Sequence, residues 1–284
     1  MGEKIMQYEI LVLDLDGTLT NNKKEITPHT KEVLKAYQDA GGRIVLASGR
    51  PTYGVAPLAE ELEMQKYHGY MLSFNGAVIT DCRTGEPIYE NWLPAGVPQQ
   101  LADLAEKYHT SLLTYQGDDI LTETPDDTYV LKEVICTKMN VRKIENFREE
   151  ITFPVVKCML MENGVYLADV EKKVDGYFQG ELSVLRSEPY FLEVMPKGID
   201  KAASLKRLLE YLGKDRSQMM AFGDGFNDRS MLEYAGLGVA MQNGQSAIKA
   251  VADLIAPSNE DDGVAYVVES LMLGKRPEEL RGFY

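Results

Sequence analysis

Short apolar runs alternate with amphipathic segments at the start of the chain. The runs at Ile10–Leu13, Arg43–Ala47 and 70–74 are short and largely apolar, as is typical of strands buried on both faces of a sheet. Thr27 and Pro28 predict the start of a helix between the first two, because threonine is a favoured N-cap and proline a favoured first helical residue. This β-α-β-α-β order predicts a parallel sheet with right-handed crossovers.

The pattern changes at about residue 85 and changes back at about residue 190. The intervening block is richer in short strand-like segments, and turn signals such as Asp175-Gly176 separate its elements. After it, buried-strand and helical segments alternate again. We therefore predict an α/β fold with a Rossmann-like parallel-sheet core of residues 1–84 and 191–284, split by an inserted α+β domain of residues 85–190.

Two carboxylates directly follow the first predicted strand. Asp14 and Asp16 stand where ligands bind in open α/β sheets, just beyond the carboxyl end of a strand. Two carboxylates held close together repel, and each raises the pKa of the other unless a cation or a proton intervenes. This stretch predicts a nucleophile and a proton donor beside a divalent metal ion, without showing which carboxylate has which role.

Polar residues also end two further strands of the predicted sheet. Ser48 and Arg50 follow the second strand, and Asp224, Asn227 and Asp228 follow a strand of the second core segment. Because parallel strands end at the same edge, we expect these groups to converge with the first pair. The oxygen-rich set suits Mg²⁺, and the absence of His and Cys from these segments argues against zinc.

Each of these residues also has an explanation without function. A single Asp-x-Asp-Gly is often only a turn, and the spacing from Asp14 does not fit an EF-hand calcium loop, because Leu19 stands where glycine is required. Ser48 alone would be a helix cap. Lys201, near the start of the helix predicted after the inserted domain, would alone be a solvated helix lysine. Two such segments, each at the end of a buried strand, favour a site over coincidence.

Together the segments resemble the motifs of the haloacid dehalogenase superfamily, in particular Cof-type phosphatases of subfamily IIB. These proteins have a large C2-type cap between their second and third motifs, where this chain has its inserted domain. The first motif, DxDGT, is matched by residues 14–18, the second by Ser48, and the fourth, GDxxND, by residues 223–228. The lysine of the third motif is Lys201 or, as a second candidate, Lys197.

The resemblance implies a role for each matched residue. Asp14 is the nucleophile, which forms an aspartyl-phosphate, and Asp16 is the general acid and base. Mg²⁺ is held by Asp14, the backbone carbonyl of Asp16, and Asp224. Asp228 orients the lysine and the metal-bound waters. The phosphate is bound by side chains of the second, third and fourth motifs: Ser48, Lys201 and Asn227.

These roles predict an Mg²⁺-dependent phosphatase that acts on a small phosphorylated metabolite, such as a sugar phosphate. The alternative is a phosphotransferase or phosphomutase on the same scaffold, which would need cations in the cap to hold a second phosphate. The sequence offers five such cations: Arg142, Lys143, Arg148, Lys157 and Arg186. A catalytically silent binding protein is disfavoured by the intact set of Asp14, Asp16 and Asp224.

Composition limits the expected partners and location. A formal net charge of −14 disfavours nucleic acid and anionic membranes as partners. No apolar run approaches the ~18 residues of a membrane span, and residues 1–10 have no apolar secretory segment. The three cysteines form neither a disulfide framework nor a CxxC metal site. We therefore expect a cytoplasmic monomer or small homo-oligomer whose partner is a small phosphorylated molecule.

Overall fold

The computed structural model describes residues 7–271 of the 284-residue chain. It divides into two compact units. The core unit comprises the residues up to Ile88 and those from Asp200 onward, and the inserted unit is Tyr89–Ile199. An α/β fold with a parallel core sheet and an α+β insertion was predicted, and it is confirmed.

Fourteen strands and ten helices lie within residues 7–271. The strands are β1 (Ile10–Leu13), β2 (Arg43–Ala47), β3 (Tyr70–Ser73), β4 (Val78–Asp81), β5 (Pro87–Glu90), β6 (Ser111–Gln116), β7 (Asp119–Thr122), β8 (Asn140–Lys143), β9 (Cys158–Met161), β10 (Leu182–Glu188), β11 (Phe191–Pro196), β12 (Met219–Gly223), β13 (Leu237–Met241) and β14 (Leu254–Ala256). The helices are α1 (Pro28–Asp39), α2 (Thr52–Glu61), α3 (Val97–Tyr108), α4 (Thr128–Thr137), α5 (Phe147–Glu150), α6 (Gly164–Phe178), α7 (Lys201–Leu212), α8 (Arg229–Tyr234), α9 (Ser246–Lys249) and α10 (Gly263–Leu271). None of the helices within this range combines the length and the apolar character needed to cross a membrane.

The core unit is built on an eight-stranded sheet with β1 among its central strands. The strand order is β14-β13-β12-β1-β2-β3-β4-β5. β1 pairs in parallel with both β12 and β2, and its last residue, Leu13, is aligned with Phe222 and Leu46. All four residues of β1 are buried, which explains their uniformly apolar character. The three strands therefore end side by side, and the polar residues that follow them meet at one edge of the sheet.

Helix α1 begins and packs as its sequence predicts. The Thr27 side chain accepts a hydrogen bond from the backbone N–H of Thr30 (3.1 Å), and Pro28 occupies the first turn. Val33 and Leu34 are buried in the apolar core beside the sheet. The helix is thus stabilised by its cap at one end and by its apolar face along its length.

The inserted unit contains a six-stranded, mostly antiparallel sheet. Its strand order is β10-β11-β9-β6-β7-β8, and the pair β7–β8 is parallel. β11 pairs antiparallel with β10 and β9, so it belongs to this sheet and the core unit resumes only at Asp200. The boundaries expected after residues 84 and 190 therefore lie too early. The reason is that an apolar strand has the same appearance whichever sheet it joins.

The turn predicted at Asp175-Gly176 is wrong, because both residues lie inside helix α6. The apolar residues of α6 recur at helical spacing and are buried in the core of the inserted unit: Leu167, Val170, Val174 and Phe178. A glycine inside a helix costs only about 1 kcal/mol relative to alanine. Burial of four apolar side chains outweighs that cost.

Candidate active site

Three carboxylates meet at the edge where β1 and β12 end. Carboxylate oxygens of Asp14, Asp224 and Asp228 all lie within 4.8 Å of one another. Asp14 and Asp228 are buried, and Asp224 is half-buried. Gly17 allows this approach, since a Cβ atom at that position would lie 2.5 Å from Asp224 Oδ2. The sequence prediction that these segments converge is confirmed by their positions.

Lys201 joins this group from the first turn of α7. Its Nζ atom donates to Asp14 Oδ1 (2.5 Å) and to Asp228 Oδ1 (2.6 Å), and its side chain is completely buried. Asp200 caps the helix by accepting a hydrogen bond from the Ala203 N–H, which fixes the start of α7. Lys197, the other candidate for the third motif, is exposed and lies in the inserted unit. Of the two lysines, the structure therefore places Lys201 beside Asp14.

Asp228 connects the lysine to the loop that carries Asp224. While one of its oxygens accepts from Lys201, the other accepts from the backbone N–H groups of Asp224 (2.9 Å) and Gly225 (2.8 Å). Both oxygens are therefore engaged by the protein. This arrangement suits the positioning role that the resemblance implies.

The charges of the cluster are not balanced by the protein alone. Burial raises the pKa of Asp14 to about 8, with a further contribution from Asp228, although Lys201 opposes both effects. Burial also raises the pKa of Asp224 to about 6, and the hydrogen bond from the Thr18 hydroxyl opposes this rise. One ammonium cannot neutralise three carboxylates. The donor set therefore fits a divalent cation that prefers oxygen ligands, such as Mg²⁺.

The Asp16 side chain is held apart from this group by two cations. Arg50 donates from Nε to Asp16 Oδ2 (2.7 Å) and from Nη2 to Oδ1 (2.6 Å), and Lys24 Nζ lies 2.7 Å from Oδ1. Burial alone would raise the pKa of Asp16, but Arg50 and Lys24 together lower it. The contact with Lys24 was not predicted, because nothing in its polar loop distinguishes it from a solvated surface lysine.

Ser48 and Asn227 lie at the same edge, but their side chains form hydrogen bonds outside the carboxylate cluster. The buried Ser48 Oγ accepts from the backbone N–H of Arg50 (3.1 Å), and the exposed Asn227 side chain donates to Asn75 Oδ1 (3.1 Å). Asn75 also lies beside Gly49 in the loop after β2. The phosphate-binding roles of Ser48 and Asn227 thus remain predictions.

Comparison with known proteins decides the family. The family of haloacid dehalogenase-like (HAD) hydrolases matches residues 11–268. The chain belongs to this family. The match runs from β1 to α10 and so includes both parts of the core unit and the whole of the inserted unit.

Several relatives of this HAD protein are named as phosphatases, and solved structures share its fold. A HAD-like hydrolase from Bacteroides thetaiotaomicron is 48% identical and has a TM-score of 0.91 over 93% of this chain and 100% of that one. The 5-amino-6-(5-phospho-D-ribitylamino)uracil phosphatase YitU of Bacillus subtilis is 31% identical over 90% of this chain and 94% of its own. BT4131, a sugar phosphatase of HAD subclass IIB, is 25% identical with a TM-score of 0.77, covering 92% and 98% of the two chains. The protein is a Cof-type HAD phosphatase, as the resemblance implied.

Proposed function

We propose that this HAD phosphatase hydrolyses a small phosphorylated metabolite, such as a sugar phosphate, through an aspartyl-phosphate on Asp14 in an Mg²⁺-dependent reaction. The observation that carries the proposal is the buried contact of Lys201 with Asp14 and Asp228, with the carboxylate of Asp224 alongside. This arrangement combines a nucleophile with a fixed cation and an incomplete set of charges at the end of a central strand.

The residues at this edge divide the reaction into two steps. The carboxylate of Asp14 attacks phosphorus, and the bond from phosphorus to the leaving oxygen breaks. Asp16 donates a proton to that oxygen, which requires that it first leave the contacts with Arg50 and Lys24 that lower its pKa. Asp16 then takes a proton from a water molecule, which attacks the aspartyl-phosphate and releases phosphate, so that Asp14 is restored. Lys201 holds Asp14 in place, and its charge opposes the negative charge that develops in the transition state.

A divalent cation would complete this machinery. The residues that would hold Mg²⁺ are Asp14, Asp224 and the backbone carbonyl of Asp16. When bound, Mg²⁺ lowers the repulsion between an anionic nucleophile and an anionic phosphate. Ser48 and Asn227 are proposed to bind phosphoryl oxygens, and Arg50 and Lys24 hold the Asp16 carboxylate in one orientation.

The substrate class is inferred from the relatives and from charge. The names of YitU and BT4131 give a phosphorylated ribityl compound and a sugar phosphate as what those proteins act on. A formal net charge of −14 means that an anionic substrate must be attracted by local cations. The edge of the core sheet offers Lys201, Arg50 and Lys24, but each of them already contacts a carboxylate, so the divalent cation would have to supply the additional positive charge.

The five cations proposed for a second phosphate do not favour the mutase alternative. The five cations that were candidates for binding a second phosphate each form an ion pair with a carboxylate. The pairs are Arg142–Asp119, Lys143–Glu145, Arg148–Asp103, Lys157–Glu193 and Arg186–Glu171. A second phosphate would have to compete with these carboxylates.

Phosphate release from a panel of sugar phosphates and other small phosphate esters tests the proposal. We expect release with Mg²⁺, little release with EDTA, and none from the Asp14→Asn variant at matched concentration. Absence of release by the wild type across the panel, or undiminished release by Asp14→Asn, would contradict the proposal. Isomerised product without free phosphate would favour the mutase.

A further inference from the structure

The loop that follows β13 forms hydrogen bonds with the loops after β1 and β12, which carry the proposed metal ligands. Asn243 donates from Nδ2 to the backbone carbonyl of Gly17 (2.8 Å), in the loop after β1. Two residues later, the N–H of Gln245 donates to the backbone carbonyl of Asp224 (3.1 Å), in the loop after β12. Residues 243–245, here called the clamp loop, thus hold the two sides of the carboxylate cluster at a fixed separation.

Asn259 holds the clamp loop in turn. Its backbone N–H donates to Asn243 Oδ1 (3.1 Å), which orients the amide so that its NH₂ group faces Gly17. Its buried side chain donates to the carbonyl of Thr20 (2.9 Å). The two asparagines therefore hold the loop after β1 at Gly17 and at Thr20.

These bonds leave the carbonyl of Asp16 available for the metal. The carbonyl of Leu15 accepts from the Thr20 N–H (2.9 Å), and the two asparagines occupy those of Gly17 and Thr20. None of the hydrogen bonds found among residues 7–271 has the Asp16 carbonyl as its acceptor. This is the carbonyl that would bind Mg²⁺ under the proposed function.

The clamp loop also lies directly against Asp224. A Cβ atom at Gly244 would be 2.9 Å from the Met241 carbonyl oxygen and 3.1 Å from Asp224 Cα. Such contacts leave no room for a side chain. The position of Asp224 therefore depends on the packing of this loop as well as on its hydrogen bonds.

We propose that Asn243, oriented by Asn259, is a positioning residue that sets the geometry of the metal site. It fixes the Gly17 peptide, so that the neighbouring Asp16 carbonyl and the carboxylate of Asp224 converge on the same ion. The inference rests on the proposed function, because it assumes that these groups bind the metal. Hydrogen bonds that orient metal-binding groups typically change affinity by about 10–100-fold when they are removed.

Metal affinity of the full chain tests this role directly. Mn²⁺ serves as the probe, and its dissociation constant is measured by electron paramagnetic resonance in the absence of substrate. We expect Asn243→Ala to weaken Mn²⁺ binding by about tenfold or more. The matched control is Gln242→Ala, which removes an exposed amide from the neighbouring position and should bind Mn²⁺ as the wild type does. Equal affinity of Asn243→Ala and wild type would overturn the proposal.

A second variant separates positioning from charge and from folding. Asn243→Asp keeps the size of the side chain and the acceptor for the Asn259 N–H, but it replaces the donor to Gly17 with a negative oxygen. If positioning matters, this variant also binds Mn²⁺ more weakly, despite its extra negative charge. Tighter binding would contradict the proposal. Melting curves in EDTA should show both Asn243 variants folded, because Asn243 is exposed.

The wild type distinguishes this inference from the proposed function. A wild-type protein that binds no Mn²⁺ and releases no phosphate would remove the basis of both. A wild-type protein that does both, with an Asn243→Ala variant of equal affinity, would overturn only the role of Asn243.

Discussion

Each unit of this phosphatase contains a buried lysine, and the two have opposite surroundings. Lys201 in the core unit is 0% exposed and contacts the carboxylates of Asp14 and Asp228. Lys157 in the inserted unit is 3% exposed and pairs with one carboxylate, that of Glu193, at 3.1 Å. The Lys157 pair is balanced one to one, whereas Lys201 is outnumbered by negative charge. Burial of a lysine is common to both units, so the charge imbalance around Lys201 is the feature that supports the proposed site.

The largest effect on activity should come from removing Lys201. Lys201→Met removes the cation that faces the developing charge and leaves Asp14 and Asp228 to repel each other. We expect kcat/KM for phosphate release to fall by at least about 100-fold while the protein remains folded at saturating Mg²⁺. Near-wild-type turnover in this variant would mean that Lys201 is structural, like Lys157.

Removing Lys157 should lower the stability of the protein and leave its activity unchanged. Lys157→Met leaves Glu193 buried without its cation, which costs roughly 3–5 kcal/mol in the free energy of unfolding. Urea denaturation measures the loss, and the double variant Lys157→Met with Glu193→Leu should recover most of it, because neither member of the pair is then left as an unpaired buried charge. A single variant as stable as the wild type would show that the pair contributes nothing.

The cluster of Asp14, Asp224 and Asp228 should also make the stabilisation of the folded protein by Mg²⁺ depend on pH. With the pKa of Asp14 raised to about 8 from its ordinary 3.8, the metal-free folded protein keeps a proton that the unfolded chain has released. Its stability therefore falls as the pH rises between these two values. A divalent cation favours the ionised carboxylate, so we expect the rise in Tm caused by Mg²⁺ to be larger near pH 8 than near pH 5.

Two comparisons check this origin of the pH dependence. Asp14→Asn cannot ionise at this position, so the difference between the two pH values should shrink in that variant. An equal rise in Tm at both pH values in the wild type would show that Mg²⁺ binding is not coupled to the protonation of the cluster.

The smallest effect is expected at the edge of the site. Lys24→Met removes one of the two cations that lower the pKa of Asp16, so that pKa should rise. The rise should be small, because Lys24 is half exposed and the two hydrogen bonds from Arg50 remain. Carbon-13 NMR of the Asp16 carboxyl measures it. Lys23→Met, one residue away and exposed, should leave the pKa of Asp16 unchanged.

Local pattern was sufficient for the core sheet and for the carboxylates at its edge. Uniformly apolar runs identify strands such as β1 and β12, and parallel strands in register end together. The convergence of Asp14, Asp224 and Asp228 follows from strand ends alone. By contrast, the turn predicted within α6 and the assignment of β11 to the core were wrong. Packing against distant residues decided both.

Tertiary structure alone decided which polar residues contact the carboxylates and the loop after β1. The sequence left Lys197 and Lys201 as alternatives, and only the position of α7 buries one of them beside Asp14. Asn243 reaches Gly17 across 226 residues, and Lys24 reaches Asp16 from a polar turn. Strand propensity acts over a few residues and can be read locally. A hydrogen bond between distant segments depends on the packing of everything between them, so these contacts leave no local signal in the sequence.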